Sequence, residues 1–275
     1  MTYTQDLQAT IEAIGREYPR IAAWFRTFSG ADWERPTFCP GWSAAKAAGH
    51  LAFGAEFFAE AITNGLKGYV GLPYGAGSRE EFMQIRDAKA EEIGRLSGAA
   101  LVDRFESNMA AVLGLFQSLR PEDYERPAWH RRSVFPIRRF IFSRLNELLL
   151  HEWDIRNRPE APLDPPSVAV AGANLRQHFQ LFYEMDPVAG LAGTFGFALT
   201  DTGHRWAMRV SDKKAEDLGL GQHRADVTFS ATAGDMVLLS SGRGSLDQRQ
   251  REGRFRAEGD AAKAGAIMPK LFFPL

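Results

Sequence analysis

The stretch from Asn146 to Arg156, reading Asn-Glu-Leu-Leu-Leu-His-Glu-Trp-Asp-Ile-Arg, limits the possible folds more than any other part of this chain. On an α-helix, positions four and seven apart share a face, so Glu147, His151 and Asp154 form a polar stripe. Ile137, Ile141, Leu148 and Ile155 gather at helical spacing on its flank, which sets the stripe beside a core. A carboxylate and an imidazole buried together cost several kcal/mol unless something pairs with them. A second element must therefore reach this helix, and the stripe reads as part of a site.

The region before it supplies candidates. Residues Thr4 to Phe28 carry Leu7, Ile11, Ile14, Ile21, Trp24 and Phe25 at the spacing of an amphipathic helix. In the following segment, Pro40-Gly41 suits a type II turn and Ser43 an N-cap, which predicts a helix over 43–66. His50 falls in the middle of that helix's apolar side, among Ala47, Phe53, Gly54 and Phe57, with no carboxylate on its own helix close by. Its partner has to come from another element. A glycine-rich connection leads to a third helical region, Arg79 to Leu119, weakest at Gly94 to Gly98. Asp123-Tyr124-Glu125-Arg126-Pro127 then echoes Asp32-Trp33-Glu34-Arg35-Pro36, and each copy precedes a helix carrying one of the two histidines. If the helix pairs are related by an approximate two-fold axis, His50 and His151 face each other across a bundle interior.

A chain of 275 residues is long for one core, and the proline cluster Pro159, Pro162, Pro165 and Pro166 marks a boundary. Residues 1–158 form one predicted domain and 167–275 another. In the second, Ser167 to Tyr183 reads as a helix. The alternating runs Phe195-Phe197-Leu199 and Trp206-Met208-Val210 read as a hairpin turned at Asp201-Thr202-Gly203. Strands at Val227–Phe229 and Phe255–Ala257, a short helix capped by Thr232 and a last helix from Asp260 complete an α+β module.

A net charge of −1 gives no general attraction to nucleic acid or anionic membrane, although Arg131, Arg132, Arg138, Arg139 and Arg144 cluster locally. No recognition motif for DNA is present, and no apolar run approaches the ~20 residues needed to span a bilayer. With a single cysteine, Cys39, no intrachain disulfide forms, and the expected location is the cytoplasm. Cys39 lies in a tight turn with no evident base beside it, so a structural role is expected.

His50, Glu147 and His151 make a two-histidine, one-carboxylate set that suits zinc or a related divalent ion and leaves a position open. Each piece also has a bland reading. The Glu147–His151 spacing fits a solvated helix pair, His50 a satisfied core histidine, and Asp154 a helix-end carboxylate paired with Arg158. The arginine-rich segment fits a solvated basic face as well as a carboxylate site.

The stretch Trp33 to Leu51, with its Cys39-Pro40-Gly41-Trp42-Ser43 turn and His50, followed by Glu147-Leu148-Leu149-Leu150-His151-Glu152-Trp153-Asp154, resembles the mycothiol-dependent maleylpyruvate isomerase family of the DinB-like superfamily. The resemblance implies an N-terminal DinB-like four-helix bundle followed by a small α+β domain similar to sterol carrier protein 2. It places the metal ligands at His50, Glu147 and His151. It also implies a catalytic part for Arg243, of the pair Gly242-Arg243, in holding an anionic substrate. Asp154 would then be a group supporting the metal site or a base. The implied activity is metal-assisted attack of a low-molecular-weight, mycothiol-like thiol on an electrophilic small molecule, ending in cis-trans isomerisation or S-transfer. A non-catalytic metal or small-ligand binder and a hydrolase using bound water remain as alternative classes.

Overall fold

The structure is a computed structural model that describes residues 3–96, 98–160 and 162–273. The chain divides into two compact units, with the division between residues 161 and 162.

The N-terminal unit is built on four long helices: α1 (Tyr3–Phe25), α3 (Ala44–Leu66), α5 (Gly98–Ser118) and α6 (Arg138–Arg156). Helix α3 packs on α5 and α6, and α1 packs on α5 and α6. A short α2 (Gly30–Glu34) precedes α3, and α4 (Arg79–Gly94) lies against it. Helix α4 ends at Gly94 and α5 begins at Gly98, so the two are separate helices. The core lies between apolar stripes that include Ile14, Ile21, Leu51, Phe58, Phe105, Ile141, Leu148 and Ile155, all nearly free of solvent.

Local chemistry explains where α3 starts. Gly41 has φ +75° and Trp42 donates its N–H to the Cys39 carbonyl at 3.0 Å, which makes Cys39–Trp42 the expected type II turn. Ser43 Oγ then accepts the Lys46 N–H and caps the helix. The two echoed pentapeptides also adopt matching local structure. Asp32 accepts the N–H of Ser29 at 2.8 Å, and Asp123 that of Arg120 at 3.1 Å. The Arg35 carbonyl accepts from Ala44, and the Arg126 carbonyl from Ile137, both at 3.0 Å. In each copy the chain folds back on itself immediately before a helix that carries one of the two histidines.

The second fold-back is larger than the sequence suggested. Strands β1 (Pro127–Trp129) and β2 (Val134–Pro136) form a hairpin, so Pro136 ends a strand and α6 begins at Arg138.

The C-terminal unit is a five-stranded sheet with helices. Helix α7 (Pro165–Met185) leads into β3 (Ala192–Leu199), β4 (Arg205–Ser211), β5 (Lys214–Leu220) and β6 (Val227–Ala231). Next come α8 (Ala233–Leu239), α9 (Leu246–Arg251), β7 (Phe255–Gly259) and α10 (Ala261–Leu271). The strand order is β5-β4-β3-β6-β7, antiparallel except for the β3–β6 pair. The expected hairpin is β3–β4, pairing Phe195 with Met208 and Phe197 with Trp206 around Gly203 at φ +73°. Strand β5 was not expected, because Lys214, Glu216 and Asp217 break the apolar alternation; as an edge strand it needs little of it. Phe272, after α10, closes the core against Phe179, Phe229 and Phe255 at ring separations of 5.2–5.9 Å. No helix of the described residues is long and apolar enough to cross a membrane.

Candidate functional site

Three segments of the N-terminal unit converge around His151: the Cys39–Trp42 turn, the first turns of α3, and the second half of α6. The Phe38 N–H donates to the Asp154 carbonyl at 3.0 Å and the Phe38 ring stacks on Trp153 at 4.5 Å, which seats the turn on the end of α6. Trp42 then lies 5.1 Å from the His50 ring and 6.0 Å from that of His151, nearly parallel to the latter. His50 from α3 and His151 from α6 meet edge to face, with ring centroids 4.9 Å apart.

Each group is fixed by a second one. Asp154 is 1% exposed, and its Oδ2 lies 3.0 Å from His151 Nδ1. A carboxylate there favours the proton on Nδ1 and leaves the Nε2 lone pair as the imidazole's donor site. Cys39 Sγ donates to the same carboxylate oxygen at 3.2 Å and lies 3.8 Å from His151 Nδ1. This corrects the expectation that no base stands beside Cys39. Its two polar neighbours come from a helix more than a hundred residues away, a proximity that spacing along the chain does not reveal.

Glu147 is held differently. Arg144, one turn earlier and fully buried, forms an ion pair with Glu147 Oε2 at 3.0 Å and donates to the Leu51 carbonyl at 3.2 Å. Gly54 makes room for both: a Cβ there would come within 2.9 Å of Arg144 Nη1 and 3.3 Å of Glu147 Oε2. Glu147 Oε2 is buried and out of line for a hydrogen bond with any described group. Burial, then the charge of His151, pushes His50 down to about 3 against the pull of Glu147, so its imidazole stays neutral. Burial also pushes the Arg144 guanidinium down, opposed by Glu147.

A neutral imidazole, a second imidazole oriented by a carboxylate, and a carboxylate oxygen lacking a hydrogen bond together fit a divalent cation. The one group of three donors close enough to share an ion among the described residues is a different combination, however. Donor atoms of Cys39, His151 and Asp154 lie within 4.8 Å of one another. The structure brings His50 and His151 together and sets Glu147 beside Arg144 and Gly54, and neither His50 nor Glu147 is in that donor group. Arg243 belongs to the C-terminal unit, where it sits half-buried in the loop between α8 and α9; its Nη1 donates to the Ser241 carbonyl at 3.4 Å. Trp42 and Gly54 were not singled out from sequence as site residues, and Arg144 was read only as one of a cluster of arginines, not as the partner of Glu147. The one available signal was an arginine three residues before Glu147 on a largely apolar helix.

Fold and site together define a class of protein: a four-helix bundle with a histidine- and carboxylate-lined site, joined to a small α+β unit. The model for the mycothiol maleylpyruvate isomerase N-terminal domain matches residues 14–156, and that for the SCP-2 sterol transfer family matches residues 176–271. The chain belongs to the mycothiol maleylpyruvate isomerase family. A crystal structure of the mycothiol-dependent maleylpyruvate isomerase is similar with a TM-score of 0.60 at 13% identity, over 95% of either chain. A mutant of that enzyme with one histidine changed to alanine gives 0.60 at 12% identity, again over 95% of either chain. At these identities the likeness is one of fold. No curated protein matches the sequence.

Proposed function

We propose that this chain is a metal-dependent enzyme that activates a low-molecular-weight thiol for attack on an electrophilic small molecule. The single observation carrying this reading is the meeting of His50 and His151 at 4.9 Å, with Glu147 one helical turn before His151. His50, Glu147 and His151 are the proposed ligands. A divalent ion held there, zinc by the chemistry of the donors, supplies positive charge that stabilises a thiolate at neutral pH.

The chain's own residues do the rest. Asp154 keeps the His151 proton on Nδ1, Arg144 and Gly54 keep the Glu147 carboxylate in place, and the Trp42 ring lies against both imidazoles. Attack of the thiolate on an activated double bond forms a C–S bond and moves the π electrons onto the conjugated carbonyl as an enolate. Rotation about the resulting single bond and expulsion of the thiolate give the other geometric isomer, with no net change in atoms. Protonation of the enolate gives S-transfer instead. The family name supports the first outcome, with a mycothiol-like thiol and a maleylpyruvate-like substrate. Arg243 is the proposed holder of an anionic group of the substrate.

The test is metal content by plasma mass spectrometry on wild type, His50→Ala and His151→Ala, with thiol-dependent loss of an electrophile followed on the same samples. Near-stoichiometric metal that falls in both variants, with turnover that needs added thiol, is expected. A wild type that takes up no divalent metal overturns the reading.

A second reading rests on the proximity of Cys39, His151 and Asp154, a donor set that also suits zinc. Under it, Cys39→Ser loses the metal and His50→Ala keeps it.

A further inference from the structure

We infer that Arg249 is a positioning residue: it fastens the Gly242–Arg243–Gly244 loop of the C-terminal unit in the conformation from which Arg243 holds a carboxylate of the electrophilic substrate. The inference deepens the proposed function and rests on it for what Arg243 holds.

The backbone of Arg243 is caught on both sides. Helix α8 ends in a Schellman motif, in which the Gly242 N–H donates to the Leu239 carbonyl at 3.0 Å and the Arg243 N–H to the Leu238 carbonyl at 2.9 Å. Gly242, at φ +68°, supplies the left-handed residue that such an ending needs. On the other side, Arg249 Nη1 donates to the Arg243 carbonyl at 3.3 Å. Gly244 leaves room for that bond, because a Cβ there would lie 2.7 Å from Arg249 Cζ. At φ +79° Gly244 is also a second flexible joint directly after Arg243, and the guanidinium laid against it removes that freedom.

Arg249 is itself anchored. It comes from α9, is 5% exposed, and donates from Nε to Asp235 Oδ1 at 2.7 Å. Asp235 is 4% exposed and stands in the first turn of α8, where its N–H donates to the Thr232 hydroxyl at 3.1 Å. Arg254 donates to both oxygens of the same carboxylate, at 2.6 and 3.1 Å. A buried ion pair of this kind adds little stability over well-packed apolar residues of similar volume. Such residues could join α8 to α9, but they could not hydrogen-bond the Arg243 carbonyl. Holding the loop is what this pair does that packing cannot.

The loop's conformation matters because a guanidinium takes a carboxylate through a planar fork, whose two parallel bonds demand one direction of approach. Arg243 has a glycine on either side, and its Nη1 already bonds back to the Ser241 carbonyl at 3.4 Å, so the direction of its fork follows the loop.

The test is calorimetric titration of the purified full chain with succinate, a saturated dicarboxylate to which no thiol adds, with uncharged succinamide as the control. We expect wild type to bind succinate and not succinamide. Arg243→Ala and Arg249→Met should each weaken succinate binding about tenfold, and the double variant should be no weaker than Arg243→Ala alone, since both remove one shared contact. Asp235→Ala separates position from charge: removing a negative charge would tighten anion binding, whereas loss of the anchor of Arg249 weakens it. Gly244→Ala keeps every charge, displaces the Arg249 guanidinium and should weaken succinate binding as well, which guards against a variant that fails to fold. Amide exchange at Gly242 and Arg243 should speed up about tenfold or more in Arg249→Met, with β3 unchanged. The inference is overturned if wild type binds no succinate, if Arg243→Ala binds it as well as wild type, if the Arg243 and Arg249 effects add, if Asp235→Ala tightens binding, or if exchange at Gly242 and Arg243 does not change. Succinate binding that depends on both arginines, without thiol-dependent turnover, would keep the inference and sink the proposed function.

Discussion

At the scale of single residues, the site is made of pairs in which one member holds the other. His151 owes its orientation to Asp154, and Glu147 owes its place to Arg144. Groups that orient a metal ligand are commonly worth 10- to 100-fold in metal affinity, because they fix both tautomer and ring angle. Asp154→Asn keeps the volume and removes the charge that holds the proton on Nδ1. We expect it to weaken zinc binding about 10- to 100-fold in competition with a chromophoric chelator, with little change in fold. An unchanged affinity would mean that Asp154 serves only the Cys39 turn. The second residue-scale lesson is Arg144. A fully buried guanidinium is costly unless paired, and its partners are one carboxylate and one backbone carbonyl. That cost is borne at the one place where Glu147 has to be kept as a carboxylate.

At the scale of elements, glycines decide how closely helices approach. A Cβ on Gly49 of α3 would lie 2.9 Å from the Gly94 amide nitrogen and 3.1 Å from the Ala90 carbonyl, both backbone atoms of α4. Gly49→Ala therefore gains up to about 1 kcal/mol of helix propensity but forces two backbones apart. The expected net loss is about 1–3 kcal/mol, read as a lower denaturation midpoint for the N-terminal unit. Gly114 in α5 has open space around it, so Gly114→Ala should stabilise by about 0.5–1 kcal/mol. Equal effects of the two substitutions would show that helix propensity, and not contact between α3 and α4, governs both. The β1–β2 hairpin shows the same logic with aromatic side chains: Trp129 and His130 fill the space beside Phe57 and Phe82, which fixes its tip.

At the scale of the whole molecule, the N-terminal unit withholds protons from two histidines. Burial, then the charge of His151, takes His50 down to about 3, and burial, then Arg131 and Arg132, takes His130 to about 3 as well. Above the ordinary histidine value near 6.5 both folded and unfolded chains are neutral there, and stability is fully present. Between about 6.5 and 3 only the unfolded chain takes up those protons, so stability falls as pH falls, by up to ~1.4 kcal/mol per unit for each histidine. Urea unfolding of the full chain from about pH 7 to about pH 5 should show the N-terminal transition moving to lower urea, and His130→Phe should make that dependence shallower. A slope unchanged by His130→Phe would mean that the ring is not held neutral. The C-terminal unit carries its own buried polar contacts, such as Arg249 Nε to Asp235 Oδ1 at 2.7 Å and Arg176 to Asp217 at 2.8 Å.

What the sequence determined by itself was whatever a few neighbouring residues control. The turn at Pro40-Gly41, the Ser43 cap, the hairpin at Asp201-Thr202-Gly203 and the polar stripe of α6 all follow from φ preferences, caps and periodic burial, which act within one or two turns of chain. The family resemblance carried the two-part fold as well. Tertiary structure alone decided which distant groups meet: Cys39 against Asp154, Arg144 beneath Gly54, and Trp129 of the β1–β2 hairpin against Phe82 of α4. It also made a strand of Lys214–Leu220, whose polar residues give no alternating signal because an edge strand is paired on only one side. These contacts join residues tens to more than a hundred positions apart, where the packing of other elements fixes the distance and periodicity along the chain carries no information about it.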